Sequence, residues 1–321
     1  MIFAKTVERL YKNRLFTRQE RHGAVFFFSQ KDFPGLKSEP YSFPSTNGHT
    51  LSGYFYSYES PRADRLIVFD HGMGAGHLAY MKEIELIARR GYLVFSYDHT
   101  GCAESGGSGA GGFAQSLHDL DDCITALKND ERFASLDISV VGHSWGAFST
   151  LNITAIHPEI SHIVAMAGFI SVEQVLKQNF SGIMRGYAKH LYALEAETNP
   201  KHYKYNAVET LKSSKTKALL IYSDDDMLVK KAYHYDVLFR ELSDCENVRL
   251  MLVSGKGHNP GYTAKAVKMK DLFFAEFKKR MKKHSLDDES NQKQFVSSYD
   301  WNAMTEQDET VWAEIFNHLE S

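Results

Sequence analysis

From residue 66 onward, short apolar runs alternate with longer amphipathic stretches, and this alternation leaves the chain few architectures. "RLIVFD", "YLVFSYD", "DISVVGHS", "HIVAMAGF", "KALLIYS" and "VRLMLVS" read as buried strands. Between them, "AYMKEIELIARR", "AQSLHDLDDCITALKN", "WGAFSTLNITAI", "VKKAYHYDVLFREL" and "AKAVKMKDLFFAEFKKRM" read as helices, with Gly91 suited to cap the first of these. Apolar strands separated by helices build βαβ units. The expected class is therefore α/β, a mostly parallel central sheet with helices on both faces.

The remaining segments depart from that rhythm. Phe3, Val7, Leu10, Tyr11 and Leu15 recur at helical spacing and predict an amphipathic helix near 3–16. "YSFPS" and "TLSGYFYSY" predict two strands at the sheet margin, joined by a hairpin turn at Asn47-Gly48. Residues 170–213 are helical in character and contain no strand pattern, which predicts a small helical cap inserted over one end of the sheet. "KKHSLDDESNQKQ" is polar and predicts a surface linker. After it, Thr305 stands three residues before Asp308, as in a capping box, and Val311, Trp312, Ile315, Phe316 and Leu319 form one apolar stripe. Residues 282–321 are thus expected to be a linker and a final helix docked on the body, with a partner-binding helix as the alternative. The whole of 1–321 is expected to be one α/β domain.

Composition removes several function classes. The 321 residues, 43% hydrophobic, suffice for a substantial core. Net charge is −3, from 37 basic and 40 acidic residues with no long block of one sign, so the signature of a nucleic-acid binder is missing. The longest apolar runs, such as "AVFFFS", fall far short of a membrane span, and the N-terminus lacks a signal-peptide core. Cys102, Cys123 and Cys245 are too few and too scattered for a disulfide framework or zinc site, and a reducing cytoplasm is the expected location.

"GHSWGA" carries the chemistry. An apolar strand precedes Ser144 and a helix follows it at once, with Gly142 and Gly146 two residues to either side. Gly-x-Ser-x-Gly in that setting forces a turn so sharp that small residues are needed at both flanks, and it lifts the serine hydroxyl above the sheet edge at a helix N-terminus. An ordinary glycine-bounded turn is the bland reading. A serine nucleophile needs a base, and His258 lies in the Gly-rich loop "SGKGHNPGY" directly after the last strand. The base needs an acid, and the preceding strand ends in Asp224, Asp225 and Asp226. Two backbone amides must receive the developing oxyanion. Trp145, after the serine, is one candidate, and Met73 of "HGMGAG" is the other.

A phosphate-cradling loop is the rival for the glycines. At Gly72 and Gly74 the dinucleotide pattern fails because His77 stands at its third glycine. Gly107, Gly109 and Gly112 satisfy the pattern, but they begin nine residues after the strand end at Asp98, too late for a tight βα turn. Neither loop is followed by Gly-Lys-Ser/Thr.

With "HGMGAG", "DHTGCAESGG", "GHSWGA", "SDDDMLV" and "GKGHNP" in this order, each at a strand end, the chain over residues 41–281 resembles the α/β-hydrolase-fold serine hydrolases. The resemblance implies catalytic Ser144, Asp226 and His258, with Asp225 as fallback for the acid, and no catalytic role for Asp98 or Ser105. It implies cleavage of an ester or thioester of a small to medium apolar acyl substrate through an acyl-enzyme, with no metal or organic cofactor. Phe180, Met184 and Tyr187 of the insertion are the candidate pocket residues, and Trp145 is expected to line the pocket floor with its indole. His143 is expected to pack beneath the turn. An aminopeptidase on short peptides is the nearest alternative, with Glu195 or Glu197 to hold a substrate ammonium. A non-enzymatic ligand-binding protein on the same fold is the third reading.

Overall fold

The structure is a computed structural model that describes residues 2–21, 25–74 and 76–321. The chain opens with α1 (Ile2–Leu15) and the antiparallel hairpin β1 (Lys37–Pro44) and β2 (Thr50–Ser57). Six βα steps follow, beginning with β3 (Arg65–Asp70) and α2 (Met81–Arg89), β4 (Leu93–Tyr97) and α3 (Gln115–Asn129), and β5 (Asp137–His143) and α4 (Trp145–Asn152). β6 (His162–Met166) leads into α5 (Val172–Asn179), α6 (Arg185–Thr198) and α7 (Ala207–Ser213). β7 (Lys217–Ser223) and α8 (Tyr235–Leu242) come next, then β8 (Val248–Val253) and α9 (Ala264–Lys282). The chain closes with α10 (Glu289–Ser297), α11 (Trp301–Met304) and α12 (Glu309–Leu319).

The strands form one sheet in the order β1-β2-β4-β3-β5-β6-β7-β8, antiparallel at β1 and β2 and parallel from β4 to β8. Period-two alternation divides the core across it. Leu66 and Val68 of β3 join one cluster with α3, α4 and α8, while Ile67 and Phe69 join a second with α2, α9 and α12. The expected helix-covered parallel sheet is therefore present. Its parallel register (Asp70 opposite Gly142, His143 opposite Met166) aligns the carboxyl ends of β3, β5 and β6 along one edge, which is where ligands bind in open α/β sheets.

Several local expectations need correction. Leu10 is 61% exposed, so the apolar face of α1 is narrower than its spacing suggested, resting on Tyr11 and Leu15. The side chain of Phe3 lies outside the described residues. α8 begins only at Tyr235, because the amides of Leu228 and Val229 are taken by the Asp226 carboxylate and that of Lys230 by Gln178. The polar stretch 282–294 is helical from Glu289: Asp288 caps it through the amides of Ser290 and Asn291, and Phe295 and Val296 are buried. The cap of α12 is Asp308, whose carboxylate accepts from the Thr310 and Val311 amides, while the Thr305 hydroxyl turns back to the Trp301 carbonyl. The stripe Val311, Trp312, Ile315 and Leu319 is buried against the sheet.

Candidate active site

Ser144 joins β5 to α4 with φ 56 and ψ −110, backbone angles that a serine holds only under compulsion. Gly142 and Gly146 make the compulsion possible. A Cβ on Gly142 would collide with the Thr150 hydroxyl and the Gly146 carbonyl, and one on Gly146 with the Asp70 carbonyl. The turn half-exposes the Ser144 side chain at the N-terminus of α4.

His258 Nε2 lies 2.8 Å from Ser144 Oγ, and its Nδ1 lies 2.7 Å from Asp226 Oδ2. A carboxylate accepts, so Nδ1 carries the proton and Nε2 is free to accept from the serine hydroxyl. Burial alone would raise the Asp226 carboxyl. The hydrogen bond and charge of His258 and the amides of Val229 and Leu228 outweigh burial and hold it below the ordinary carboxylate value. The three adjacent acids separate by geometry. Asp226 is buried and meets His258, Asp225 accepts from the Ser223 hydroxyl and the Gly257 amide, and Asp224 accepts from the Ser254 hydroxyl. The outer two brace the loop that bears the imidazole.

The loop after β3 lies against the serine. A Cβ on Gly72 would stand 3.3 Å from the Ser144 Cβ. His71, which sequence reasoning missed, orients this loop. The His99 amide donates to His71 Nε2 at 3.0 Å, so the His71 proton is on Nδ1, which donates to the Gly72 carbonyl at 2.6 Å. Because that peptide is planar and trans, the Met73 N–H points away from the His71 ring. Burial, with the nearby His99, keeps His71 neutral by pushing its pKa down to about 3. Burial opposes a charge on His99 as well, but Asp70 and Asp119 on either side win and raise it to about 10. His99 Nε2 is 3.0 Å from Asp70 Oδ1, an ion-pair contact without hydrogen-bond alignment. A signal existed in the sequence, since "DH" ends both β3 and β4, but only the fold brings the two imidazoles together.

Other expected residues sit differently. The Trp145 indole is buried and donates to the Phe113 carbonyl, so it forms no pocket floor. His143 does more than pack: its ring bonds both Tyr80 and the His258 carbonyl. Asp98 and Ser105 are structural, with Asp98 accepting from the His77 and Glu104 amides and Ser105 donating to the Asp98 carbonyl. Glu195 is fully buried and bound by the Tyr11 hydroxyl and the amides of Phe113 and Ala114, which commits it to joining α1, α6 and the loop before α3. Glu197 is exposed.

A cleft of about 440 Å³ opens between α5 and α6, with Phe180, Ala188, Tyr192 and Tyr233 in its wall. Met184 and Tyr187 are not part of that wall, and neither are Ser144 and His258. A recess of about 500 Å³ lies elsewhere, between α9 and α10, and holds none of the candidate residues. Among the described residues, no group of His, Cys, Asp or Glu side chains is disposed to hold a metal ion, and no helix is long and apolar enough to cross a membrane.

A family model described as serine aminopeptidase, S33, matches residues 61–206. The uncharacterized protein YqkD of Bacillus subtilis (strain 168) is 27% identical over 128 residues, which is 40% of this chain and 41% of that protein. The chain thus matches well under half the length of this curated relative. The esterase Pf2001 of Pyrococcus furiosus superposes with a TM-score of 0.59 at 23% identity, over 84% of this chain and 96% of that one. An acylaminoacyl peptidase of Pyrococcus horikoshii superposes with a TM-score of 0.52 at 18% identity, over 70% of this chain and 38% of that one. At these identities the likeness to the solved structures is one of fold.

Proposed function

We propose that this chain, whose fold is that of the α/β-hydrolases, is a serine hydrolase cleaving an ester or thioester of a small to medium apolar acyl group. One observation carries the reading: the strained Ser144 hydroxyl is 2.8 Å from an imidazole whose far nitrogen is 2.7 Å from a buried carboxylate. A bare turn needs no such pair behind it.

In this reading His258 Nε2 takes the Ser144 proton as Oγ attacks the acyl carbonyl. Asp226 holds the imidazole tautomer and stabilises the imidazolium that forms. The Met73 and Trp145 amides receive the oxyanion, and each such donor is worth on the order of a hundredfold in rate. The imidazolium then protonates the departing alcohol or thiol. Water, deprotonated by the same nitrogen, releases the acid and restores Ser144.

Exposed Met227 and Leu228, directly after Asp226, favour an apolar substrate. The peptidase reading needs an acid to hold a substrate ammonium, and Glu195 is already committed inside the protein. The complete Ser-His-Asp arrangement argues against a receptor without activity. Cys102, Cys123 and Cys245 are free thiols, which supports a reducing compartment such as the cytoplasm.

A panel of p-nitrophenyl esters of graded acyl length, run beside aminoacyl anilides, tests the substrate class. The expected result is higher kcat/KM on the short and medium esters. A preference for the anilides would overturn it.

A further inference from the structure

The base loop has a positioning problem that the sheet does not solve. His258 follows β8, and two strands, β6 and β7, separate β8 from the β5 end that carries Ser144. Errors of register across those strands would accumulate at the hydrogen bond on which the proposed chemistry depends.

His143 supplies a direct link. Its Nε2 is 2.7 Å from the His258 carbonyl oxygen and its Nδ1 is 2.9 Å from the Tyr80 hydroxyl. A carbonyl only accepts, so Nε2 holds the proton, Nδ1 accepts, and Tyr80 donates to it. The ring stays neutral because burial, and then the adjacent His258, push its pKa down to about 3. The Tyr80 hydroxyl packs directly on Gly72, where a Cβ would collide with it. Gly72 precedes Met73, the candidate oxyanion donor. One chain of contacts therefore runs from the loop after β3, through Tyr80 and the residue before Ser144, to the backbone of the base.

We infer that His143 is a positioning residue whose two hydrogen bonds hold the Gly72–Met73 loop and the His258 backbone at a fixed spacing on either side of Ser144. The inference rests on the proposed Ser144–His258 chemistry. It differs from simple packing, because a ring of similar shape without polar atoms would fill the space and lose the spacing.

The test compares His143→Phe, His143→Gln and Tyr80→Phe in the full chain, with p-nitrophenyl butyrate as probe substrate and thermal unfolding as a check on folding. His143→Phe is expected to lower kcat about a hundredfold, the scale of a small misplacement, with KM within about twofold. His143→Gln, which keeps a donor for the His258 carbonyl, should recover to within about tenfold of wild type, and Tyr80→Phe should cost about fivefold. A folded His143→Phe with wild-type kcat overturns the inference, as does a Gln variant no better than Phe. If His143→Phe does not fold, Tyr80→Phe decides, and wild-type kcat there overturns it. Ser144→Ala is assayed alongside. Turnover lost in Ser144→Ala but retained in His143→Phe sinks this inference alone, whereas turnover surviving in Ser144→Ala sinks the nucleophile assignment and this inference with it.

Discussion

Asp226 divides its carboxylate: Oδ2 faces His258 Nδ1 at 2.7 Å, while Oδ1 accepts the amides of Leu228 and Val229 at 2.7 and 3.0 Å. The acid is thus locked by its own loop before it orients the base. Its neighbour Asp225 has no contact with the imidazole and bonds Ser223 and Gly257 instead. Asp226→Asn should lower kcat by about a thousandfold or more, as loss of the tautomer-fixing acid does in serine hydrolases generally. Asp225→Asn should cost less than about tenfold. The reverse order in steady-state kinetics would move the acid by one residue.

Glycines in two different helices predict opposite signs for one substitution. Gly146→Ala places a Cβ into the Asp70 carbonyl and should destabilise the fold by about 2–3 kcal/mol. Gly186→Ala, in α6 with open space around its Cα, should stabilise by up to about 1 kcal/mol. Urea unfolding of both variants checks the pair. Equal effects would mean that the elbow is not tightly packed.

Three buried imidazoles set an acid limit. His71, His143 and His234 are pushed down to about 3 by burial, from an ordinary value of 6.5. Their contribution is complete above 6.5. Below it the unfolded chain binds protons that the folded chain refuses, so stability falls by roughly 1.4 kcal/mol per pH unit for each until the pH nears 3. His99, raised to about 10, acts oppositely: its contribution is complete below 6.5 and is lost as the pH climbs through 10. Unfolding free energy should drop by several kcal/mol between pH 7 and pH 5. A flat profile over that interval would contradict the burial of these rings.

The final helix bears on the base loop. Lys256 Nζ lies 2.5 Å from Asp308 Oδ2, the Asp308 amide donates to the Gly261 carbonyl, and the Thr263 amide donates to the Glu306 carbonyl. Asp308→Ala removes a helix cap and this ion pair together and should cost about 1–2 kcal/mol. It should also lower kcat, because His258 sits between Lys256 and Gly261. A thermal shift without any change in kcat would confine α12 to a structural role.

The strand-helix alternation was legible because parallel strands buried on both faces are apolar throughout, as Ile67, Val68 and Phe69 are. Ser144 and His258 were legible because Gly-bounded turns at strand ends leave a local mark. Tyr80 and His143 left no mark of their roles, and His71 only the repeated Asp-His at the ends of β3 and β4, since these roles come from contacts between the ends of different strands. The start of β1 at Lys37 was hidden for a related reason. Residues 37–40 are exposed on the outermost strand and carry no apolar pattern, and only their pairing with β2 makes them a strand. α10 was missed because its capping Asp288 and its two buried residues, Phe295 and Val296, sit at opposite ends of a polar stretch.

The account stands or falls on Ser144 as nucleophile. The most direct measurement is peptide mapping by mass spectrometry after reaction with a fluorophosphonate. A single adduct on Ser144, absent from Ser144→Ala together with ester turnover, is the predicted result. An adduct on another residue, or undiminished labelling of Ser144→Ala, would contradict it.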